Sequence, residues 1–148
     1  MARTRWPSLV LGDISVKVKL LLLGMILLLS CSTAKSALYV NSESCTVKLN
    51  NTEKKLGLIT PCSLVKVHDN LLNFKKYGET EVYIISGAPS PLDKLSRWSV
   101  TKEDNCSLEY QAVIVNNETL SLSKVKDKTL VCPNLGLDEK VYRQFLSD

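Results

Sequence analysis

Five cysteines set the strongest constraint on what this chain can fold into. Four of them fall in two successive pairs, Cys45 with Cys62 and Cys106 with Cys132, and a fifth, Cys31, stands ahead of them. No two lie within four residues of each other and His68 is the only histidine, so the spacing does not fit a zinc ligand set and no metal is expected. An even number of cysteines in a small domain points instead to disulfides and an oxidising compartment. Four cysteines allow three connectivities, and sequential pairing is the simplest because each bridge then closes a loop around one predicted hairpin. Each such bridge is worth about 3 kcal/mol through restriction of the unfolded chain.

The leading segment supplies the route to that compartment. Leu20 to Leu29 form an apolar run behind the basic residues Arg3, Arg5, Lys17 and Lys19, and the small residues Ser30 to Ala34 follow. That is the layout of a secretory signal peptide over residues 1–30, or 1–36 if cleavage falls later. The uncharged stretch between Lys19 and Lys35 would span only about 22 Å as a helix, short of the ~30 Å hydrocarbon core, so a permanent span is disfavoured. Leu28-Leu29-Ser30-Cys31 resembles the lipobox of bacterial lipoproteins, which implies cleavage before Cys31 and a lipid on it. Lipidation also accounts for the odd cysteine. Ordinary cleavage after Ala34 or Ser36 removes Cys31 and leaves the same even count. Residues 31–37 are then a short tether and 38–148 a single small globular domain.

The formal charge of +4 is concentrated in the leader, where Arg3, Arg5, Lys17 and Lys19 face only Asp13. The rest of the chain is nearly neutral. Its doublets Lys54-Lys55 and Lys75-Lys76 lack interleaved aromatics and read as solvated loop ends, so nucleic acid is not an expected partner.

Beyond Ala37 the pattern is short apolar or alternating runs between polar turns, as in strands. Leu38–Val40, Cys45–Leu49, Leu56–Ile59, Leu64–Val67, Glu81–Ser86 and Leu108–Val115 are the predicted strands, with Asn50-Asn51 and Asn116-Asn117 as hairpin turns. Gly87 to Pro91 is the clearest loop. Asp138 is placed to cap one terminal helix with Val141, Tyr142, Phe145 and Leu146 on one side. The expected fold is mainly β within the α+β class: a small antiparallel sheet or partly open barrel, one C-terminal helix and two disulfides.

No nucleophile elbow, phosphate loop or metal motif is present. His68 beside Asp69 is a poor acid–base pair, because adjacent strand residues point to opposite faces. An enzyme is not expected, nor any cofactor. Arg97 and Trp98, after the proline-containing loop, are the candidate binding surface, since arginine and aromatic residues dominate binding hot spots. The plainer alternative is a core tryptophan beside a solvated arginine.

The expectation is an exported binding module, an envelope lipoprotein or periplasmic protein of bacterial type, with a protein or small-molecule partner and the membrane reached through Cys31. The alternative is a eukaryotic or viral secreted glycoprotein acting as a receptor-binding or immune-modulating domain. Its support is three N-x-Ser/Thr acceptors, at Asn50, Asn105 and Asn117.

Overall fold

A computed structural model describes residues 37–67 and 73–146. The leader, the tether up to residue 36 and Cys31 lie outside the described residues, as do His68 and Asp69. Among the described residues no helix is long and apolar enough to cross a membrane.

Among the described residues the protein is mainly β, in two antiparallel sheets with one short C-terminal helix. The smaller sheet is a meander of β1 (Tyr39–Asn41), β2 (Thr46–Leu49) and β3 (Thr52–Lys55). The larger is built on two long central strands, β6 (Thr80–Ser86) and β7 (Ser107–Asn116), paired from Thr80↔Asn116 to Ser86↔Tyr110. On the outer side of β6 lie β4 (Ser63–Leu64) and β5 (Lys75–Tyr77), each against a different half of it. Outside β7, β8 (Thr119–Leu122) and β9 (Lys126–Val131) divide its length in the same way. The amide of Lys66, just past β4, donates to the carbonyl of Pro133, just past β9, at 3.0 Å, so the two opposite margins of this sheet meet at one point.

Both faces of the central strands are covered, which is why Val82 to Ile85 read as a continuous apolar run rather than an alternating one. Tyr83, Ile85, Val113 and Val115 point to one face and pack under Val47, Leu49, Leu56 and Leu58 from the smaller sheet and its exit. Val82, Ile84, Tyr110 and Ala112 point to the other, against Tyr142 and Phe145. Those two side chains come from the terminal helix α1 (Glu139–Arg143) and the 3₁₀ turn after it, Gln144–Leu146. Asp138 caps α1 as expected, its carboxylate accepting from the amide of Lys140 at 2.8 Å. Leu146 departs from expectation and is exposed, because the tightening to a 3₁₀ turn after Arg143 rotates it off the face that carries Tyr142 and Phe145.

Both sequential disulfides are present, with Cα–Cα separations of 5.5 Å for Cys45–Cys62 and 4.0 Å for Cys106–Cys132. The second lies one position beyond the Ser107↔Val131 pair and joins two strands that are already neighbours.

Several strand boundaries differ from the apolar pattern. The partner of β2 is the wholly exposed Thr52–Lys55, which puts Glu53 opposite Lys48 and leaves a polar edge. Leu56–Ile59 joins no sheet and bends at Gly57 and Leu58. Its leucines face the core, while the amides of Gly57 and Ile59 donate to the side chains of Gln111 and Glu109 at 2.9 and 2.6 Å. Lys54-Lys55 and Lys75-Lys76 are accordingly residues of β3 and β5, not loop ends.

Candidate functional site

The central hairpin is closed at one end by two-residue turns and open at the other. The open end carries the long connection from Gly87 to Cys106, which sequence reasoning singled out at Arg97 and Trp98. Its entry is fixed by backbone bonds from Gly87 to Glu109 at 3.1 Å, Ala88 to Ile59 at 2.8 Å and Ser90 to Cys106 at 2.9 Å. A Cβ at Gly87 would overlap the Glu109 side chain and displace it from its bond to the Ile59 amide. The prolines at 89 and 91 favour extended backbone, and a 3₁₀ turn forms only at Leu92–Leu95.

Leu95 is buried and packs with Cys106 and Cys132, so the second disulfide is part of a small separate core beneath this connection. The Trp98 amide donates to the Leu95 carbonyl at 2.9 Å, and its ring rests half-buried on that core. Arg97 is exposed and its guanidinium carbon lies 3.9 Å from the centre of the Trp98 ring. Trp98 is thus neither a fully buried core residue nor a free surface one. A cation–π contact of this kind contributes about 0.5–1 kcal/mol at an exposed site and fixes the arginine over the ring.

A second 3₁₀ turn, Lys102–Asp104, is held by a capping box in which Asp104 accepts from the Thr101 amide at 2.7 Å. Asn134, just past β9, donates its side-chain amide to the Glu103 carbonyl at 2.9 Å. The connection and the exit of β9 are thereby joined, and each exposes one large apolar side chain, Leu92 and Leu135. The end of the sheet therefore presents a stacked Arg–Trp pair on segments tied down by a disulfide and several hydrogen bonds.

Among the described residues no three His, Cys, Asp or Glu side chains converge as metal ligands. The perturbed groups elsewhere are phenols. Burial, then its hydrogen bond and proximity to Glu81, push Tyr83 well above the ordinary tyrosine range, and it donates to Glu81 at 2.9 Å. Burial pushes Tyr142 up to about 12, with the Tyr77 phenol adding to the effect. Each is on a packed face of the sheet, away from the Arg97–Trp98 connection in sequence and in core.

Glu109 and Gln111 were not anticipated, although their signal was available: two polar residues at alternate positions within the apolar run Leu108–Val115. They fasten the smaller sheet's exit to β7, and Gln111 also donates to the Ser123 carbonyl at 2.6 Å.

The three acceptor asparagines are placed differently from one another. Asn50 and Asn117 are exposed residues of the β2–β3 and β7–β8 turns, whereas Asn105 is half-buried next to the second disulfide.

Compared with protein-family profiles, curated proteins and solved structures, the chain matches none of them.

Proposed function

We propose that this chain is an exported binding module that engages a protein partner through the open end of its larger sheet. One observation carries the reading: Arg97 stacks on Trp98, and Trp98 is seated on Leu95 and the Cys106–Cys132 bridge. An aromatic anchor already held in place loses little conformational freedom on association, which is what makes such residues effective hot spots. The two disulfides favour an oxidising compartment outside the cytoplasm. In the same proposal Cys31 is acylated and tethers the domain to a bacterial envelope.

The test has two parts. Cross-linked capture from the native host should retain a partner with the full chain and lose it with Arg97→Ala/Trp98→Ala, compared at a temperature where circular dichroism shows both proteins folded, since removing the half-buried Trp98 ring also lowers the melting temperature. Equal capture by both proteins overturns the surface. Cys31→Ala should abolish membrane association, and unchanged fractionation overturns the anchor.

A second reading, a secreted glycoprotein with a receptor-binding or immune-modulating role, is favoured by the exposure of Asn50 and Asn117 at tight turns. Intact mass of the native protein separates the two, because lipid on Cys31 belongs to the first and N-linked glycan to the second.

A further inference from the structure

Resting on the secreted-glycoprotein reading, we infer that Asn50 and Asn117 are N-glycan attachment sites and that Asn105, with an equally valid sequence motif, is not. Asn50 opens the two-residue connection between Leu49 and Thr52 with φ 53°, and both it and Thr52 are exposed. Asn117 and Glu118 have φ 45° and 63°, the pair of positive values of a type I′ turn, and Asn117, Glu118 and Thr119 are all exposed. Each asparagine therefore projects from a hairpin tip with its acceptor hydroxyl partner at the surface beside it.

Asn105 differs in all three residues of its motif. It is half-buried in a left-handed conformation, its amide donating to Lys102 at 3.2 Å. Cys106 is in the bridge to Cys132. Ser107 is 1% exposed and its hydroxyl accepts from the Glu109 amide at 3.2 Å. Once the bridge has formed, a transferase cannot reach this motif.

The modification needs an oligosaccharide carried on a lipid diphosphate. The asparagine Nδ2 attacks the anomeric carbon, an N–C bond replaces the C–O bond to phosphate, the lipid diphosphate leaves with that electron pair, and one amide proton passes to a base. No redox change occurs.

The placement has a consequence for the binding end. β7 runs ten residues from Ser107 to Asn116, so the Asn117 turn stands about 30 Å from the connection that carries Arg97 and Trp98. Asn50 lies at the far end of β2–β3 from Gly57 and Ile59, the residues bonded to the first half of β7. Glycans on these two turns leave the Arg97–Trp98 end uncovered.

The test is expression of the full chain in a eukaryotic secretory host, followed by enzymatic glycan removal that converts each carrier Asn to Asp, read by peptide mass. Asp should appear at 50 and 117 and not at 105, and Asn50→Gln/Asn117→Gln should be secreted without N-glycan. Cys132→Ser should raise occupancy at Asn105, because Cys106 and Ser107 then stay accessible. A secreted chain unmodified at both turns overturns the site assignment while leaving export intact. Asn105 occupied as fully as the turns, or unaffected by Cys132→Ser, overturns the shielding argument. Retention of the full chain in the cytosol overturns the reading on which the inference rests.

Discussion

The two faces of the larger sheet are covered by different means. The face that carries Tyr83, Ile85 and Val113 is covered by the smaller sheet, which the Cys45–Cys62 bridge closes and which Gln111 and Glu109 hold through the amides of Gly57 and Ile59. The opposite face carries Val82, Ile84 and Ala112 and is covered by α1 and its 3₁₀ extension, where the attachment is mainly apolar packing of Tyr142 and Phe145, with one long hydrogen bond from the Gln144 side chain to the Tyr110 hydroxyl at 3.4 Å. The ring of Phe145 meets Tyr110 edge-on at 6.3 Å. The difference follows from what each cover can bury. Of β1 to β3 only β2 sends fully buried side chains inward, Val47 and Leu49, while β3 is exposed throughout, and so thin a layer gains from covalent and polar fastening. A helix bearing a tyrosine and a phenylalanine buries enough area to stay docked by the hydrophobic effect.

Breaking the covalent fastening should have the largest effect. Cys45→Ala/Cys62→Ala removes a crosslink closing a separation of 17 residues, a loss of about 3 kcal/mol. At roughly 4–8 °C per kcal/mol for a small domain, the melting temperature should fall by well over 10 °C. Native-state hydrogen exchange should show protection lost over residues 39–55 first, with β6 and β7 retained. Uniform loss across both sheets would mean that the two layers open as one unit.

The polar fastening comes next. Glu109→Ala leaves the Ile59 amide without its 2.6 Å partner, and Gln111→Ala frees both the Gly57 amide and the Ser123 carbonyl. Gln111→Ala should cost about 1–3 kcal/mol by urea denaturation, because Gln111 is buried and makes two of these bonds, and Glu109→Ala about 1 kcal/mol or less, because its bond to the Ile59 amide is exposed. The fast-exchanging segment should again be the smaller sheet. An effect confined to the helix side would contradict the division of roles between the faces.

How much of this was legible in the sequence depends on which interaction holds each segment. Strands β6 and β7, the Asn turns, the capped helix and the sequential bridges could be read because burial, left-handed φ, capping and loop closure each leave a local residue signature. Leu56–Ile59 carries a true two-residue alternation, yet the amides of Gly57 and Ile59 are met by side chains of β7, and no local pattern distinguishes that from pairing with a strand. β3, β5 and most of β9 are Lys-rich edge segments whose strand character comes from the neighbour they pair with. At the candidate site the residue types of Arg97 and Trp98 were readable. The seat that Leu95 and the second bridge make for Trp98 depends on contacts across the fold and was not.

An effect of the opposite sign tests the apolar cover. Among the described residues the hydroxyls of Tyr142 and Tyr77 are buried side-chain oxygens without a hydrogen-bond partner. Leaving such a group unsatisfied costs free energy that a phenyl ring of the same shape does not. Tyr142→Phe should therefore stabilise the protein by about 1 kcal/mol near neutral pH, seen as a higher urea midpoint at unchanged slope. The alkaline side gives a second readout. Burial raises the Tyr142 pKa in the folded state to about 12, whereas the unfolded phenol ionises near 10. The neutral phenol is thus the form that folding favours. Its contribution is complete below pH 10 and is lost as pH rises towards about 12, because the unfolded chain releases a proton that the folded chain retains. The Phe variant lacks this loss, so its advantage over the parent should widen through that window and level off above it. Tyr83, raised by burial and Glu81 on the other face, keeps some alkaline sensitivity in the variant. A variant less stable than the parent at neutral pH would show that the Tyr142 hydroxyl is satisfied in solution, and that the helix cover, too, depends on a polar contact.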